Sequence, residues 1–279
     1  MRPAASSRQP DVQPDVRPRI QRCLLTGASG GIGAALAQVL AEQGITLILQ
    51  GRELTKLEAL QQRLPGQHEL VVADLTLAED RQRLLTQAFA PGHIDCLINN
   101  AGASAFSDFT ALPPGDIEAM LALNLTAPIL LTRAYLQQMA GRTATVVNVG
   151  SVLGAIGLPG FGVYAATKFG LRGFTEALMR EYADTDTRIA YFAPRTTATD
   201  SNSAAANAMN TALGNAVDSP TQVAAAFMTL LNGHAQRRTV GWPEKLLVRL
   251  NGLLPELVDR VLKGQLAEIK KHTAAAAQE

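Results

Sequence analysis

Between the first apolar run and the first amphipathic stretch, the sequence reads Thr26-Gly27-Ala28-Ser29-Gly30-Gly31-Ile32-Gly33. Gly27 allows a sharp turn, and Gly31 and Gly33 let the backbone come close to a ligand. A turn of this kind at a helix N-terminus binds anions through free N–H groups and the helix dipole. The motif therefore predicts a dinucleotide pyrophosphate site after the first strand. The alternative is a glycine-rich turn that binds nothing.

Short apolar runs alternate with helix-period stretches on both sides of this motif. Such alternation is typical of βαβ units, which build a parallel sheet. Right-handed crossovers then give an α/β fold: a doubly wound parallel sheet (Rossmann fold) of three layers, in a single domain over residues 19–241. The predicted strands are 20–26, 45–50, 69–73, 94–99, 143–149 and 187–193, and the predicted helices are 31–43, 53–64, 78–90, 116–139 and 162–183.

Three segments lie outside this regular pattern. Residues 1–18 are rich in Pro and Arg and lack apolar periodicity, which predicts a disordered leader without the apolar core of a secretory signal. Residues 195–217 are rich in Ala, Asn, Thr and Ser, and we expect them to form a mobile lid over the ligand crevice. Residues 242–279 repeat Leu and Val at three- and four-residue steps, which predicts an amphipathic helical extension broken near residues 252–255.

Composition excludes several classes of protein. A net charge of +1 and a pI near 7.8 give no basic field for nucleic acid. No apolar run reaches the roughly 18 residues that predict a membrane span. Cys23 and Cys96 are too few for a disulfide framework, so we expect packed, reduced thiols in a cytoplasmic protein. The four histidines are scattered without metal-ligand spacing, so no metal site is predicted.

The end of the second strand bears on the choice of dinucleotide. Enzymes that use NAD usually have an acidic side chain there, which holds the ribose 2′-hydroxyl. Here the sequence reads Leu49-Gln50-Gly51-Arg52, so glycine occupies the acidic position and a guanidinium follows. Arg52 can pair with a 2′-phosphate, and Glu53 is interpreted as a residue that favours the start of the next helix. The pattern predicts NADP(H) in preference to NAD(H).

Four motifs occur in order at compatible spacings: TGxxxGxG over residues 26–33, Asn99-Asn100-Ala101-Gly102 after the fourth strand, Ser151 after the fifth, and Tyr164-x-x-x-Lys168. Together they resemble the short-chain dehydrogenase/reductase family over roughly residues 20–240. The resemblance implies a catalytic tetrad of Asn124, Ser151, Tyr164 and Lys168, and a homodimer or homotetramer formed through two long helices. Asp74 would hold the adenine amine. The implied cofactor contacts are Gly27, Ser29, Gly31, Ile32, Gly33, Arg52, Asp74, Leu75, Asn100, Ala101, Gly102, Tyr164, Lys168, Pro194, Thr197 and Thr199.

The same chemistry follows from the residue types. Tyr164 and Lys168 are four residues apart and share one helix face. A phenol with a pKa near 10 is a poor acid or base at neutral pH, and a nearby ammonium lowers that pKa. Ser151 follows a strand end and can polarise a substrate carbonyl, so Ser151, Leu153 and Tyr164 are the predicted substrate contacts. In reduction, Tyr164 protonates the oxygen while hydride passes from NADPH to carbon.

A second clue concerns Asn124. Pro128 has no N–H, so the Asn124 carbonyl loses its normal helical partner. A helix disrupted there exposes the carbonyl to a water that can relay protons to Lys168. The alternative is an ordinary proline kink with Asn124 as a local cap.

One position departs from the family pattern. The family usually has Pro-Gly, an apolar residue and then Thr after the sixth strand, whereas residues 194–199 read Pro-Arg-Thr-Thr-Ala-Thr. Arg195 replaces the glycine and Thr197 the apolar residue. Our hypothesis is that Arg195 points toward the lid or the substrate mouth and attracts an anionic head group; the alternative is an exposed arginine on the rim.

The predicted function is hydride transfer between NADP(H) and an alcohol/carbonyl pair, with an apolar ketone, aldehyde or 3-oxoacyl compound as small-molecule substrate. Two other functions remain open: a non-catalytic NADP(H)-binding sensor on the same fold, and a serine hydrolase that uses Ser29 with His234 or His272. The C-terminal extension can enlarge the pocket, cover a partner subunit or make peripheral contact with a membrane. The predicted apolar pocket residues are Phe106, Phe109, Leu153, Ile156, Leu158 and Phe161.

Overall fold

The computed structural model describes residues 20–276, so the predicted leader lies outside the described residues. A single sheet of seven strands runs through this part of the chain in the order β3-β2-β1-β4-β5-β6-β7. Every adjacent pair is parallel, and the doubly wound α/β prediction is confirmed. The strands are β1 (Arg22–Leu25), β2 (Thr46–Gly51), β3 (Glu69–Val72), β4 (Cys96–Asn99), β5 (Thr145–Val149), β6 (Arg188–Ala193) and β7 (Arg237–Thr239).

Helices cover both faces of this sheet. The helices are α1 (Gly31–Glu42), α2 (Leu54–Gln61), α3 (Ala78–Phe89), α4 (Pro114–Leu121), α5 (Ala127–Gln138), α6 (Gly162–Glu181), α7 (Ala204–Ala212), α8 (Pro220–Asn232), α9 (Glu244–Leu253) and α10 (Pro255–Ala276). A π-helical turn, Ala122–Thr126, joins α4 to α5.

Successive side chains along each strand point to opposite faces of the sheet, so the core consists of two apolar clusters, one on each face. Cys23 and Leu25 face one side of β1 and pack with residues of α1, α2 and α8. Leu24 faces the other side and packs with residues of α3, α5 and α6. Because both faces of the central strands β1, β4 and β5 are buried, these strands are mainly apolar instead of alternating regularly with polar residues. The fold therefore has three layers, with the sheet between two layers of helices.

The two cysteines lie side by side in this core. Cys23 and Cys96 are register partners on β1 and β4, and both are free thiols. Burial, followed by the hydrogen bond to Cys96, raises the pKa of the Cys23 thiol. Both thiols are buried and free, which is the packed, reduced form that the sequence predicts.

A buried polar network fixes the catalytic layer to the sheet. Asn99 of β4 donates to Thr132 of α5 (3.0 Å) and to the side chain of Asn148 on β5 (2.8 Å). Asn148 in turn donates to Thr175 of α6 (2.8 Å). Because buried amides need partners, these bonds set the positions of both helices relative to the strands.

Three elements were not predicted from the sequence: α7, α8 and β7. The segment 195–217, expected to be a lid without regular structure, contains α7, whose N-cap Ser203 accepts from the Ala206 N–H. Its buried face is made of small residues and one methionine, so the apolar period is weak in the sequence. The short edge strand β7 has only three residues.

The C-terminal extension forms two helices, with the break at Leu254 inside the predicted interval. One stretch among the described residues, Pro114–Gln138, is long and apolar enough to cross a membrane, with a mean hydropathy of 1.3. It contains the π-helical turn and packs against α6 in the catalytic layer. Length and composition alone are weak grounds for a membrane span.

Candidate active site

The glycine-rich loop closes tightly on itself and on the end of β4. Gly27 has φ +62°, and a Cβ there would lie 2.7 Å from the Ala101 Cα. A Cβ on Gly33 would overlap the Gly27 carbonyl oxygen and lie 2.9 Å from the Asn100 amide nitrogen. Glycine is therefore required at both positions, and the residues fit the backbone cradle that the motif predicts.

The first turn of α1 offers free donors to an anion. Its N-cap is Gly30, no described side chain caps it, and no acidic residue lies in its first turn. The N–H groups and the positive end of the helix dipole are thus available to a phosphate. Ile32 packs partly buried beside the first core cluster, which anchors this turn.

Two polar side chains hold the cradle in shape. Gln50, at the end of β2, accepts from the Gly27 N–H (3.0 Å) and donates to the Ala73 carbonyl (2.8 Å). The Thr26 hydroxyl accepts from the N–H groups of Asn100 (2.9 Å) and Ala101 (3.0 Å). The sequence analysis missed the roles of Gln50 and Thr26, because only the fold brings their partners together.

The end of β2 is tightly packed around Gly51. Gly51 is buried, and a Cβ there would lie 3.0 Å from the Leu57 side chain and 3.2 Å from the Ser29 hydroxyl. Arg52 is exposed at the next position. Glu53 is the N-cap residue of α2, and its carboxylate pairs with Lys56 (2.7 Å). The guanidinium of Arg52 is therefore exposed and available at this strand end.

Asp74 follows β3 and faces the same region. Its carboxylate accepts from the Thr76 N–H (2.9 Å) and hydroxyl (2.7 Å). These bonds, with a further contribution from the positive charge of Arg52, lower the pKa of Asp74. Leu75 is buried beneath it. Asp74 therefore caps a local turn and stays ionised near Arg52.

The predicted acid–base residues lie together at the carboxyl end of β5. Burial raises the pKa of Tyr164, and the Ser151 side chain beside its hydroxyl lowers it. The Lys168 ammonium lies 5.7 Å from the centroid of the Tyr164 ring and donates to the Val149 carbonyl (3.0 Å). Burial lowers the pKa of Lys168 to about 8. Ser151 also accepts from the Leu153 N–H (3.1 Å).

Asn124 lies at the centre of the π-helical turn. Its side-chain oxygen accepts from the Ala103 N–H (2.8 Å), and its amide donates to the Ala103 carbonyl (2.7 Å) and to Thr167 (3.2 Å). A Cβ on Gly102 would lie 3.2 Å from the Asn124 side-chain oxygen and 3.6 Å from the Lys168 nitrogen. The structure therefore brings Asn124 and Lys168 to one small space that glycine leaves open.

Tyr191 on β6 contacts the loop that begins at Ser151 (the serine loop), and this role was not predicted from the sequence. Its hydroxyl lies 3.5 Å from both the N–H and the carbonyl oxygen of Ser151. A Cβ on Gly150 would overlap its ring, so glycine before Ser151 is a packing requirement. No motif marks this residue, because it is an ordinary aromatic position on β6.

The loop after β6 joins the cofactor side of the site to the rest of the molecule. Pro194 accepts from the Val152 N–H through its carbonyl (3.0 Å), which ties this loop to the serine loop. The buried residue Thr197 bridges to Asp218. Thr199 lies directly against Gly31, where a Cβ would be 2.5 Å from its methyl group. The structure thus brings together Gly31 and Thr199, which were both predicted to contact the cofactor.

The hypothesis that Arg195 attracts an anionic head group does not fit the structure. Its guanidinium donates to Asp218 (2.6 Å) and to Glu244 (3.2 Å), so two carboxylates already neutralise it. The Arg195 side chain is only 16% exposed, so the exposed-rim alternative does not fit either. Arg195 instead fastens the loop after β6 to the start of α8 and the start of α9.

Apolar side chains cover the substrate side. The Phe161 ring lies 6.3 Å from Tyr164 and 4.9 Å from Phe106, measured between centroids. Phe106 packs with Met209 of α7 and Ile269 of α10. A cleft of about 230 Å³ opens at the start of α6 and includes Phe109, Leu158 and Val163 among its lining residues. Ile156, in contrast, packs against the C-terminal extension.

Comparison with known proteins agrees with this site. The family model described as short chain dehydrogenase matches residues 21–210. The chain belongs to the short-chain dehydrogenase/reductase family. It is therefore an oxidoreductase by family, and members of this family bind nicotinamide cofactors. His272, one of the two histidines named for the hydrolase alternative, is hydrogen-bonded to Glu268 in α10 (3.0 Å).

Several curated relatives are similar to this chain. Nodulation protein G of Rhizobium meliloti is 39% identical over 62% of this chain and 72% of its own length. The 3-oxoacyl-[acyl-carrier-protein] reductase FabG of Rickettsia bellii is 35% identical over 58% of this chain and 67% of its own. Carbonyl reductase family member 4 of Danio rerio is 32% identical over 74% and 88%.

Solved structures match more of the chain. A short-chain dehydrogenase from Streptomyces avermitilis is 27% identical, with a TM-score of 0.75 over 88% of this chain and 98% of that one. A short-chain dehydrogenase from Sphingobium yanoikuyae in complex with NADPH is 25% identical, with a TM-score of 0.72 over 86% and 96%.

Proposed function

We propose that this protein transfers hydride between NADP(H) and an alcohol/carbonyl pair whose carbon skeleton is apolar, such as a ketone, an aldehyde or a 3-oxoacyl compound. The proposal rests above all on the placement of Tyr164 next to Ser151 and the buried Lys168 amine at the carboxyl end of β5. The reductases among the curated relatives support the carbonyl substrate, and the apolar side chains around Phe161 support an apolar one.

Each residue has a distinct role in this proposal. When bound, the nicotinamide supplies or accepts the hydride. Ser151 donates a hydrogen bond to the carbonyl oxygen, and Tyr164 passes its proton to the same atom. A positive charge on Lys168 favours the phenolate. Burial raises the pKa of Tyr164 and so acts in the opposite direction. The Asn124 carbonyl holds a water that relays protons to Lys168.

The side chain of Asn124 supports this division of roles. Its amide and carbonyl oxygen are already engaged with Ala103 and Thr167, so they hold the loop after β4 in place. The group left for proton relay is the main-chain carbonyl, four residues before Pro128 and inside the π-helical turn.

The preference for NADP(H) rests on Gly51 and Arg52. A carboxylate at position 51 would hold the ribose 2′-hydroxyl of NAD and repel a 2′-phosphate, but the glycine is packed against Leu57 and Ser29. Arg52 is exposed beside this position, and a guanidinium pairs with phosphate through two parallel hydrogen bonds. The complexes with NADPH and NADP among similar structures support the same choice.

The test is a fluorescence titration of the purified protein with NADPH and with NADH. We expect tighter binding of NADPH, and we expect Arg52→Ala to weaken NADPH binding about tenfold without changing NADH binding. Arg63→Ala is the matched control, because Arg63 is an exposed arginine at the far end of the same helix region. Equal loss for both dinucleotides, or a preference for NADH, would contradict the assignment of Arg52.

A further inference from the structure

The C-terminal hairpin, formed by α9 and α10, has two faces of different character. Its inner face is packed: Val258 and Ile269 are buried, and the Asn251 amide donates to the Ala155 carbonyl (2.8 Å). Val258 packs with Val152 and with further residues of the loop after Ser151. The hairpin therefore has a fixed orientation on the substrate side of the site.

The outer face is apolar and exposed. Leu253, at the turn between the two helices, is 79% exposed, and Trp242 at the start of α9 is 70% exposed. Of the fourteen large apolar side chains that are exposed among residues 20–276, six lie within residues 242–261. We call these six the hairpin patch: Trp242, Leu246, Leu253, Leu254, Leu257 and Val261. Exposed large apolar side chains gathered in one hairpin indicate an interaction site.

Basic side chains border the hairpin patch. Lys245 and Arg249 are four residues apart in α9, on the face that carries Leu246 and Leu253. In α10, Arg260 and Lys263 lie in the turns beside Leu257 and Val261. None of these four cations forms an ion pair with any residue the structure describes. They are therefore available to an anionic partner.

A second copy of the chain does not suit this face. In a two-fold contact the patch would meet itself, and the four cations of one copy would lie against those of the other. Glu256 and Asp259 offset only two of these charges. Other exposed apolar residues, Leu121, Leu130 and Phe169, lie on α4, α5 and α6, the helices through which the family resemblance implies oligomer contacts.

A lipid surface matches both parts of the face. Leucine side chains at an exposed turn can enter the acyl boundary of a bilayer, and tryptophan favours the interfacial region. Lys and Arg beside them are attracted to anionic headgroups. We propose that the hairpin patch docks this protein on an anionic lipid surface, with Leu253 and Leu254 inserted and Lys245, Arg249, Arg260 and Lys263 at the headgroups.

Docking through this face also has a consequence for the site. The inner face of the same hairpin contacts Val152, next to Ser151, and α10 contacts Met209 of the helix α7. The Glu244 carboxylate at the start of α9 holds Arg195 in the loop after β6. The membrane-docked face and the substrate side of the site are therefore joined by direct contacts, which suits a substrate drawn from the bilayer.

The experiment is co-sedimentation of the full-length protein with phosphatidylcholine vesicles, with and without phosphatidylglycerol. We expect the protein to pellet with the mixed vesicles and not with neutral ones, and added salt to weaken the binding. Leu253→Glu combined with Val261→Glu should lower the bound fraction about tenfold, and Arg249→Gln combined with Arg260→Gln by a similar factor. The matched controls Leu77→Glu and Arg142→Gln change exposed residues outside the hairpin and should bind as the wild type does.

Three results would overturn the proposal. The first is a wild type that stays in the supernatant with both vesicle types, and the second is a pair of hairpin variants that pellet as well as the controls do. A larger wild-type assembly in sedimentation velocity, reduced by Leu253→Glu with Val261→Glu, would instead identify a protein interface. Thermal unfolding of each variant checks that it is folded. NADPH titration of the same preparations tests the proposed function separately, because lipid binding does not depend on it.

Discussion

Two basic side chains lie at the carboxyl ends of the neighbouring strands β5 and β6, and their surroundings are opposite. Lys168 is buried beside Tyr164 with no carboxylate partner among the described residues, and burial lowers its pKa to about 8. Arg195 is held by Asp218 and Glu244, whose hydrogen bonds and charges raise its pKa. A buried cation without a counter-ion destabilises the fold and stays available for chemistry, whereas a neutralised cation fastens chain segments together.

The largest expected effect tests the acid–base chemistry beside Lys168. Tyr164→Phe removes the proton that reaches the substrate oxygen, so we expect the rate of carbonyl reduction to fall about 10³-fold. Cofactor affinity should stay within about twofold, because the ring and its packing remain. Steady-state rates with NADPH and a model ketone, together with a fluorescence titration, measure both quantities.

Tyr182→Phe is the matched control, since Tyr182 lies at the other end of α6 and takes no part in the site. Equal rate losses in the two variants would mean that the effect comes from the helix and not from the acid–base group.

Lys168→Met sharpens the comparison, because it should remove activity and strengthen the fold together. The folded-state pKa of about 8 is below the ordinary lysine value of 10.5, so the folded chain holds this proton less tightly than the unfolded chain. At about 1.36 kcal/mol per pKa unit, the buried charge destabilises the fold by about 3 kcal/mol below pH 8. That cost disappears as the pH rises from about 8 to above 10.5.

We therefore expect Lys168→Met to increase the free energy of unfolding at neutral pH, with a gain that shrinks over that alkaline interval. Urea unfolding at several pH values measures this. Lys270→Met, at an exposed position, should change stability little at any pH. If Lys168→Met instead lowers the free energy of unfolding at pH 7, the Lys168 amine has a stabilising counter-ion in the folded protein, and the contrast with Arg195 is wrong.

Arg195→Ala tests whether the ion pairs of Arg195 stabilise the fold. It leaves the Asp218 carboxylate, 9% exposed, without its cation, so we expect the free energy of unfolding to fall by about 2 kcal/mol. The double variant with Asp218→Asn should recover part of that loss, because no unpaired charge remains. Selective loss of rate on carboxylate-bearing substrates, with stability unchanged, would return Arg195 to the role of an anion anchor.

The same contrast explains what the sequence could predict. The glycine loop, Ser151, Tyr164 and Lys168 carry their chemistry in local spacing, so the fold and the candidate site follow from short motifs. The partners of Arg195 come from 23 and 49 residues further along the chain, and no local pattern records them. Helix α7 escaped prediction because alanines make its apolar stripe faint, and Gln50 and Tyr191 gain their roles only through packing.

The smallest expected effect concerns the proton path to Lys168. Pro128→Ala restores the N–H that an α-helix would direct to the Asn124 carbonyl, so the π-helical turn can relax to an α-helical one and the carbonyl loses its water. We expect the reduction rate to fall about fivefold and the solvent deuterium isotope effect to rise, with NADPH affinity unchanged. Pro114→Ala, at the start of α4, is the matched control. If Pro128→Ala keeps the full rate, the proline only shapes the helix, and Asn124 acts solely through the side-chain bonds that hold Ala103.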